Sequence, residues 1–246
     1  MFTIITVTFN NRRQLAEFWT KGVPAPHRWI VVDNASADDS VEVARKLGAE
    51  VIQLPKNVGF GSANNVAARV AATDHLILAN PDVRIDFSTL ERLEEILESR
   101  DVLLAPQLVY PDGSLQPNGR GRPSLTNKVM HRLAPGRASR SGYRIYAGPG
   151  EERNVVWLMG AAIATRRDTF AQLGGFDEKF FVYYEDIDLC VRGGHAGVPS
   201  IVDGDSQWTH GWARESTGLN WRGWKLEVAS AFRFYRKHPR FLVGRA

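Results

Sequence analysis

Residues 2–11 read Phe2-Thr-Ile-Ile-Thr-Val-Thr-Phe9-Asn10-Asn11, an opening run of β-branched and aromatic residues that stops at two asparagines. Such a run predicts a strand buried on both faces. The asparagines can cap a helix over Arg12–Trp19. The same unit then repeats. Trp29-Ile-Val-Val-Asp33 is a second short strand, cut off at Asp33-Asn34-Ala35-Ser36, and Asp38, Asp39 or Ser40 opens a helix closed by Gly48. Val51–Leu54 predicts a third strand, Ala63–Ala72 a helix, and His75–Ala79 a fourth strand ending in Asn80-Pro81-Asp82; Leu90, Leu93, Ile96 and Leu97 mark one more amphipathic helix. Strands alternating with helices at this spacing predict an α/β fold around a mostly parallel central sheet. In such sheets ligands bind at the carboxyl ends of strands. Asn10, Asp33-Asn34 and Asn80-Pro81-Asp82 all sit there.

The dinucleotide fingerprint is absent. The first strand leads into Asn-Asn-Arg-Arg, Gly59-Phe60-Gly61 is too short to match, and no P-loop is present, which disfavours a dinucleotide oxidoreductase. From Pro106 to Asn154 periodicity fades among Pro, Gly and Arg residues, so this segment reads as a long connecting stretch, a lid or binding loop whose basic tilt suits an anionic or lipid-diphosphate partner.

The other chemistry-bearing stretch runs from Trp157 to Arg192. Asp177, Glu178, Glu185, Asp186 and Asp188 are interleaved there with Phe176, Phe180, Phe181, Tyr183 and Tyr184. Carboxylates laced with aromatics suggest the rim of a packed pocket, where burial and like charge tune a base. A helix starts near Asp186 with acids in its first turn. Beyond it, Val198–Val202 and Ser206–Thr209 predict two short strands, followed by His210 at a strand end with Arg214 and Ser216 nearby. The last helix, Trp224–Lys237, carries an apolar stripe of Trp224, Val228, Ala231, Phe232 and Tyr235, expected to pack on the domain, and a basic edge suited to a membrane surface.

The totals agree with a soluble globular protein: 246 residues, net charge +4, 43% hydrophobic and 24% charged. The charge excess is too mild for a nucleic-acid tail. One cysteine, Cys190, excludes an internal disulfide and fits a cytoplasmic setting, with Cys190 itself expected in the core. No apolar run is long enough to span a membrane.

In order, Val7-Thr8-Phe9-Asn10, Val32-Asp33-Asn34-Ala35-Ser36-x-Asp38-x-Ser40, Asn57-Val58-Gly59-Phe60-Gly61-x-Ala63-x-Asn65, Leu78-x-Asn80-Pro81-Asp82 and Gly174-Gly175-Phe176-Asp177-Glu178 through Glu185-Asp186-x-Asp188-Leu189-Cys190-x-Arg192 resemble the family 2 glycosyltransferases, most nearly their rhamnosyltransferase-like branch. The motifs span residues 2 to about 217, apart from the loop region. The resemblance implies a GT-A fold in one domain over 1–246, with a Rossmann-like nucleotide-sugar half at 1–105 fused to an acceptor-binding and catalytic half at 106–246. It implies an inverting transfer from a nucleoside-diphosphate sugar, such as dTDP-rhamnose, to a polysaccharide or lipid-linked glycan. Such an enzyme would work in the cytoplasm or peripherally at the inner face of the cell membrane.

Carried onto this chain, the resemblance assigns Val7, Thr8, Phe9, Asp33, Asn57, Gly59, Asn65, Asn80, Asp82 and Arg214 to the nucleotide-sugar, and Trp157, Gly160, Asp177 and Asp188 to sugar or acceptor. Asp186, paired with Glu185, is the general base. Asp82 and His210 would hold Mn²⁺ or Mg²⁺. Two positions depart from the family pattern: Asn80 replaces the first acid of the Asp-x-Asp motif, and Ala67 stands where Gly is usual. The chemistry needs a base for the acceptor hydroxyl and positive charge on the leaving diphosphate. One carboxylate plus substrate phosphates can hold such a metal, and an imidazole would favour Mn²⁺. Two rival readings remain: a sugar nucleotidyltransferase, which would normally carry a Gly-rich basic loop after the first strand, and an inactive glycan- or nucleotide-binding module, which would not need Asp186 and Asp82 together.

Overall fold

The computed structural model describes residues 1–125, 143–211 and 221–242. The first half follows the expected alternation: β1 (Phe2–Thr8), α1 (Arg12–Phe18), β2 (Arg28–Asp33), α2 (Ser40–Lys46), β3 (Glu50–Gln53), α3 (Phe60–Val70) and β4 (His75–Ala79). β3, β2, β1 and β4 lie side by side, all parallel. Every residue of β1 is buried. Its alternation feeds two cores: Ile5 and Val7 pack with Ala63, Ala67 and Phe176 on one face of the sheet, and Phe2 and Ile4 with Leu15, Trp19 and Leu93 on the other.

The second half turns the sheet into a mixed one. After β5 (Val83–Arg84) and α4 (Leu90–Ser99) come β6 (Leu103–Val109), β7 (Gly119–Arg120), β8 (Arg144–Ile145), β9 (Glu152–Val155), β10 (Trp157–Leu158) and β11 (Ala162–Arg166). Then follow α5 (Arg167–Gln172), α6 (Glu185–His195), β12 (Ser200–His210) and α7 (Trp221–Lys237). β11 inserts antiparallel between β4 and β6, while β12 runs parallel to β6 and antiparallel to β5 and β9. β10, β7 and β8 form a separate small sheet.

Four expectations need correction. The stretch 106–154 is not a continuous loop: β6 to β9 fall largely within it, too short or too rich in Pro and Gly to show a period, while 126–142 lies outside the described residues. Asn11 does not cap α1 with its side chain; its Oδ1 accepts from the Phe9 N–H at 2.9 Å instead. The two strands expected at 198–209 are one, β12, with a bulge between Asp203 and Gln207. That bulge breaks the apolar pattern because Asp203, fully buried, is held by Arg92 at 2.8 Å and by the Ser206 hydroxyl at 2.6 Å. The stripe on α7 is also divided. Tyr235 faces inward with Phe234, whereas Trp224, Val228 and Phe232 face solvent.

Candidate active site

A cleft of about 390 Å³ opens at the carboxyl edge of the parallel strands. Val7 and Phe9 from the end of β1, Asn34 after β2 and Asn80 to Asp82 after β4 line it, with Asn57, Gly59 and Phe60 from the turn into α3 and Phe181 and Val182 opposite. Three consecutive parallel strands therefore end at one crevice, the position where such sheets bind nucleotides.

Asn34 builds the wall. Its Oδ1 accepts from the Val58 N–H at 2.8 Å and its Nδ2 donates to the Gly59 carbonyl at 3.2 Å, clamping the turn that starts α3. Asn57 Oδ1 accepts from the Gly59 N–H at 2.9 Å in the same turn. Gly59 has φ +91°, and a Cβ there would lie 2.3 Å from the Phe181 carbonyl oxygen. Only glycine lets that backbone approach. Asp33 and Thr8 are buried beside the cleft rather than on its surface; Asp33 caps its own turn by accepting from the Ser36 N–H at 3.3 Å. Asn65 is placed elsewhere. Its amide accepts from the Phe176 N–H at 2.9 Å and donates to the Phe176 carbonyl at 2.9 Å, pinning the Gly174–Phe176 turn against α3.

Antiparallel pairing of His210 with Val83, and the Gly211 N–H donating to the Asp82 carbonyl at 2.8 Å, bring the end of β12 to the cleft. His210 Nε2 then lies 3.4 Å from Asp82 Oδ1. The other ring nitrogen, Nδ1, is 2.7 Å from Oε1 of the fully buried Gln116. The amide oxygen accepts from Nδ1 and so fixes the ring with Nε2 turned toward Asp82, the kind of backing found behind metal-ligating histidines. Among the described residues no third His, Cys, Asp or Glu joins the pair. One carboxylate and one imidazole still fit a divalent ion that takes its remaining ligands from phosphate and water. Gln116 was not singled out from sequence, because nothing local marks it; Asn34 was placed at the ligand-binding edge by its strand-end position beside Asp33.

Next to Phe181 and Val182 on the far wall of the cleft, Tyr183 and Tyr184 precede α6 with φ +66° and +70°. Two successive non-glycine residues in the left-handed region carry strain, held here by the burial of Tyr184 against Phe234 at 5.4 Å and Tyr235 at 6.2 Å between ring centroids. The strained turn delivers Glu185 and Asp186. Asp186 Oδ2 accepts from the Gly160 N–H at 2.9 Å and Oδ1 from the Ile187 N–H at 2.7 Å. Gly160 allows this close approach; a Cβ there would lie 3.2 Å from Asp186 Cβ. The next carbonyl, Ala161, accepts from the Asn80 N–H at 2.9 Å, which ties the Asp186 loop to the Asp82 loop.

Glu185 is 6% exposed, and its Oε2 has no hydrogen-bond partner among the described residues. Burial first, then the adjacent Asp186 charge, push its carboxyl well above the usual range, to about 8. Glu185 is thereby held toward its neutral form beside Asp186. Trp157, on β10, is buried with the Arg120 guanidinium 5.9 Å from its ring. Arg120 is itself 8% exposed, has no ion pair among the described residues, and burial lowers its pKa.

Asp188 and Asp177 are placed away from this site. Asp188 is fully buried between α6 and α7, bonded by Arg192 at 2.7 Å and by Lys237 and His238 at 2.8 Å. Burial would raise its pKa, but these hydrogen bonds outweigh it and pull the group down to about 2. Asp177 pairs with Lys237 at 2.7 Å. The resemblance assigned both to sugar or acceptor; the structure uses both carboxylates to anchor α7. Arg214 lies outside the described residues. Cys190 is core, as expected, and burial pushes its thiol to about 12.

The sequence pattern of glycosyl transferase family 2 matches residues 3–170. The chain is 32% identical to the N-acetylglucosaminyl-diphospho-decaprenol L-rhamnosyltransferase of Mycobacterium tuberculosis over 220 residues, covering 80% of this chain and 72% of that protein. It is 28% identical to the Escherichia coli rhamnosyltransferase WbbL over 151 residues, covering 57% of this chain and 56% of that protein. Among solved structures, the mannosyltransferase PcManGT from Pyrobaculum calidifontis, in complex with GDP-Man and Mn²⁺, superposes with a TM-score of 0.62 at 20% identity. That alignment covers 100% of this chain and 65% of PcManGT. Because the matched span takes in the carboxyl ends of all four parallel strands and the similarity extends into rhamnosyltransferases, the chain belongs to glycosyl transferase family 2, the GT-A glycosyltransferases that move a sugar from a nucleotide-sugar donor.

Proposed function

We propose that this glycosyltransferase is inverting and metal-dependent, that its donor is dTDP-rhamnose, and that its acceptor is a hydroxyl of a polysaccharide or lipid-linked glycan. The observation that carries the reading is the meeting of Asp82 and His210, 3.4 Å apart, at the mouth of the carboxyl-edge cleft. Asp82 Oδ1 and His210 Nε2 would hold Mn²⁺ or Mg²⁺, with Gln116 fixing the imidazole. When bound, that ion supplies positive charge to the leaving diphosphate. Residues 1–105 would bind the donor, with Val7, Phe9, Asn34 and Asn57 around the nucleoside, and residues 106–246 would bind the acceptor.

Asp186 is the general base. Its two oxygens are oriented by the Gly160 and Ile187 N–H groups, which aim the carboxylate for the acceptor proton. Glu185, held neutral by burial, keeps a second negative charge out of the site. Attack by the deprotonated hydroxyl on the face opposite the leaving diphosphate inverts the anomeric carbon. The rhamnose donor is favoured by similarity to two rhamnosyltransferases. The enzyme would act in the cytoplasm, at the inner face of the cell membrane.

Thermal shift tests the site. Wild type and Asp82→Asn are melted with dTDP, UDP or GDP, each with Mn²⁺, Mg²⁺ or chelator. At about a hundredfold excess over Kd, dTDP with Mn²⁺ should stabilise wild type by about 2.7 kcal/mol and leave Asp82→Asn unmoved. Stabilisation that survives chelator or Asp82→Asn would remove the metal role. A clear preference for UDP or GDP would remove the rhamnose donor.

A further inference from the structure

α7 presents an unusual outer face. Its inner side is secured to the domain: Phe234 is fully buried, Ser230 donates to the Val182 carbonyl at 2.8 Å, and the Tyr235 hydroxyl donates to the Pro123 carbonyl at 3.1 Å. Facing away, Trp224 is 43% exposed, Val228 58% and Phe232 70%. These three follow one another at four-residue steps and so span about 80° of the helix surface. Lys225, Arg236 and Arg233 are also exposed and occupy roughly the next 80°. Glu227, half-buried, lies about 60° from Trp224 on the flank away from the cationic row, near Tyr183. Among the described exposed positions of α7 there is no carboxylate. A recess of about 660 Å³ adjoins this face, lined by Ala229, Phe232, Arg233, Arg236 and Lys237 of α7 and by Asp177 and Lys179 of the loop before α6; Asp177 is paired with Lys237 at 2.7 Å.

Single exposed apolar residues are ordinary, but a contiguous aromatic and aliphatic row beside a cationic row is not. Water satisfies the cations and not the row. A second copy of the chain would satisfy the row but, across a two-fold axis, would bring like charges together. An anionic bilayer surface satisfies both, since Trp, Val and Phe enter the acyl boundary while Lys and Arg meet lipid phosphates. We infer that the outer face of α7 is a docking surface for an anionic membrane, laid flat on it by Trp224, Val228 and Phe232 and held by Lys225, Arg233 and Arg236. On the other side of the same helix, Tyr184 packs on Phe234 immediately before Glu185 and Asp186, so docking would set the acceptor side of the site at the bilayer surface. The inference stands on α7 itself and does not depend on which sugar is moved or on what acceptor.

The test is vesicle flotation of the full chain without nucleotide or acceptor, so its failure leaves the transfer reaction untouched. Vesicles of phosphatidylcholine with a quarter phosphatidylglycerol should carry wild type, pure phosphatidylcholine should not, and 0.5 M salt should release it. Val228→Ser/Phe232→Ser and Arg233→Gln/Arg236→Gln should each lower the partition coefficient about tenfold or more. Because these side chains face solvent, both variants should melt with wild type, and circular dichroism confirms that they are folded. Absence of wild-type binding to the anionic vesicles overturns the proposal. So does binding unchanged in both variants. Concentration-dependent dimerisation in sedimentation velocity that Val228→Ser/Phe232→Ser abolishes, without vesicle binding, would instead assign the face to a second copy.

Discussion

Replacing Glu185 by Gln should remove a distinct pH dependence from the stability of the protein. In the folded chain this carboxyl is raised by burial and by Asp186 from 4.5 to about 8; in the unfolded chain it titrates near 4.5. Between those values the folded state holds a proton that the unfolded state has released. The contribution is therefore complete below the unfolded value and is lost as pH rises through the folded one. At about 1.4 kcal/mol per pH unit, the group accounts for a loss on the order of 4 kcal/mol across the window. Glutamine is nearly isosteric and neutral at every pH, so it carries no such loss. Guanidinium unfolding at pH 5, 6.5 and 8 gives the comparison. The two proteins should be close at pH 5, and Glu185→Gln should be the more stable by several kcal/mol at pH 8. The variant should also retain transferase activity, since Asp186 keeps its oxygens and both backbone donors. Stability curves that stay parallel from pH 5 to 8 would show that Glu185 is ionised in the fold, and the argument that burial keeps it neutral would fail.

Gln116→Leu should weaken Mn²⁺ binding about 10- to 100-fold by calorimetry, with Gln116→Glu restoring most of it, because either oxygen can hold the Nδ1 proton of His210; equal affinity in all three would refute the role given to Gln116. Gly59→Ala should lower Tm by several degrees, since it combines positive φ with a 2.3 Å clash against the Phe181 carbonyl, whereas Gly48→Ala, at φ +89° with no atom within 4 Å, should cost less. Similar losses in a thermal melt would show that the Phe181 contact does not matter. Arg120→Met should raise Tm by a few degrees in the ligand-free protein, because it replaces a buried cation that has no ion pair among the described residues with an apolar side chain of similar length. A fall in Tm would mean that the guanidinium over Trp157 contributes more than its desolvation costs.

Much of the first half was legible from local pattern. β4 was expected over His75–Ala79 and lies there, and β1 is buried on both faces as its run of β-branched and aromatic residues predicted. A parallel strand shielded on both faces needs no information from afar to announce itself. The second half hides its strands because they are short and interrupted. The acids of β12 look like a turn until Arg92, 111 residues away, is seen to neutralise Asp203. On α7, periodicity identified the apolar residues without telling which of them are buried and which face solvent. Asp188 sits two residues from Asp186, which in a chain written out is adjacency, yet two residues on a helix are about 200° apart. That rotation sends Asp186 to Gly160 and Asp188 to His238 and Lys237.

The sequence by itself therefore determined the parallel half-sheet, the polar residues at its carboxyl edge and the family, because each is written in short contiguous motifs. Only the tertiary structure decided that Gln116 backs the His210 imidazole beside Asp82, that Asp177 and Asp188 hold a helix, and that α7 keeps an apolar row in water. Those outcomes depend on β12 pairing with β5 and on α7 settling across α6, contacts between residues far apart in the chain that no local period encodes.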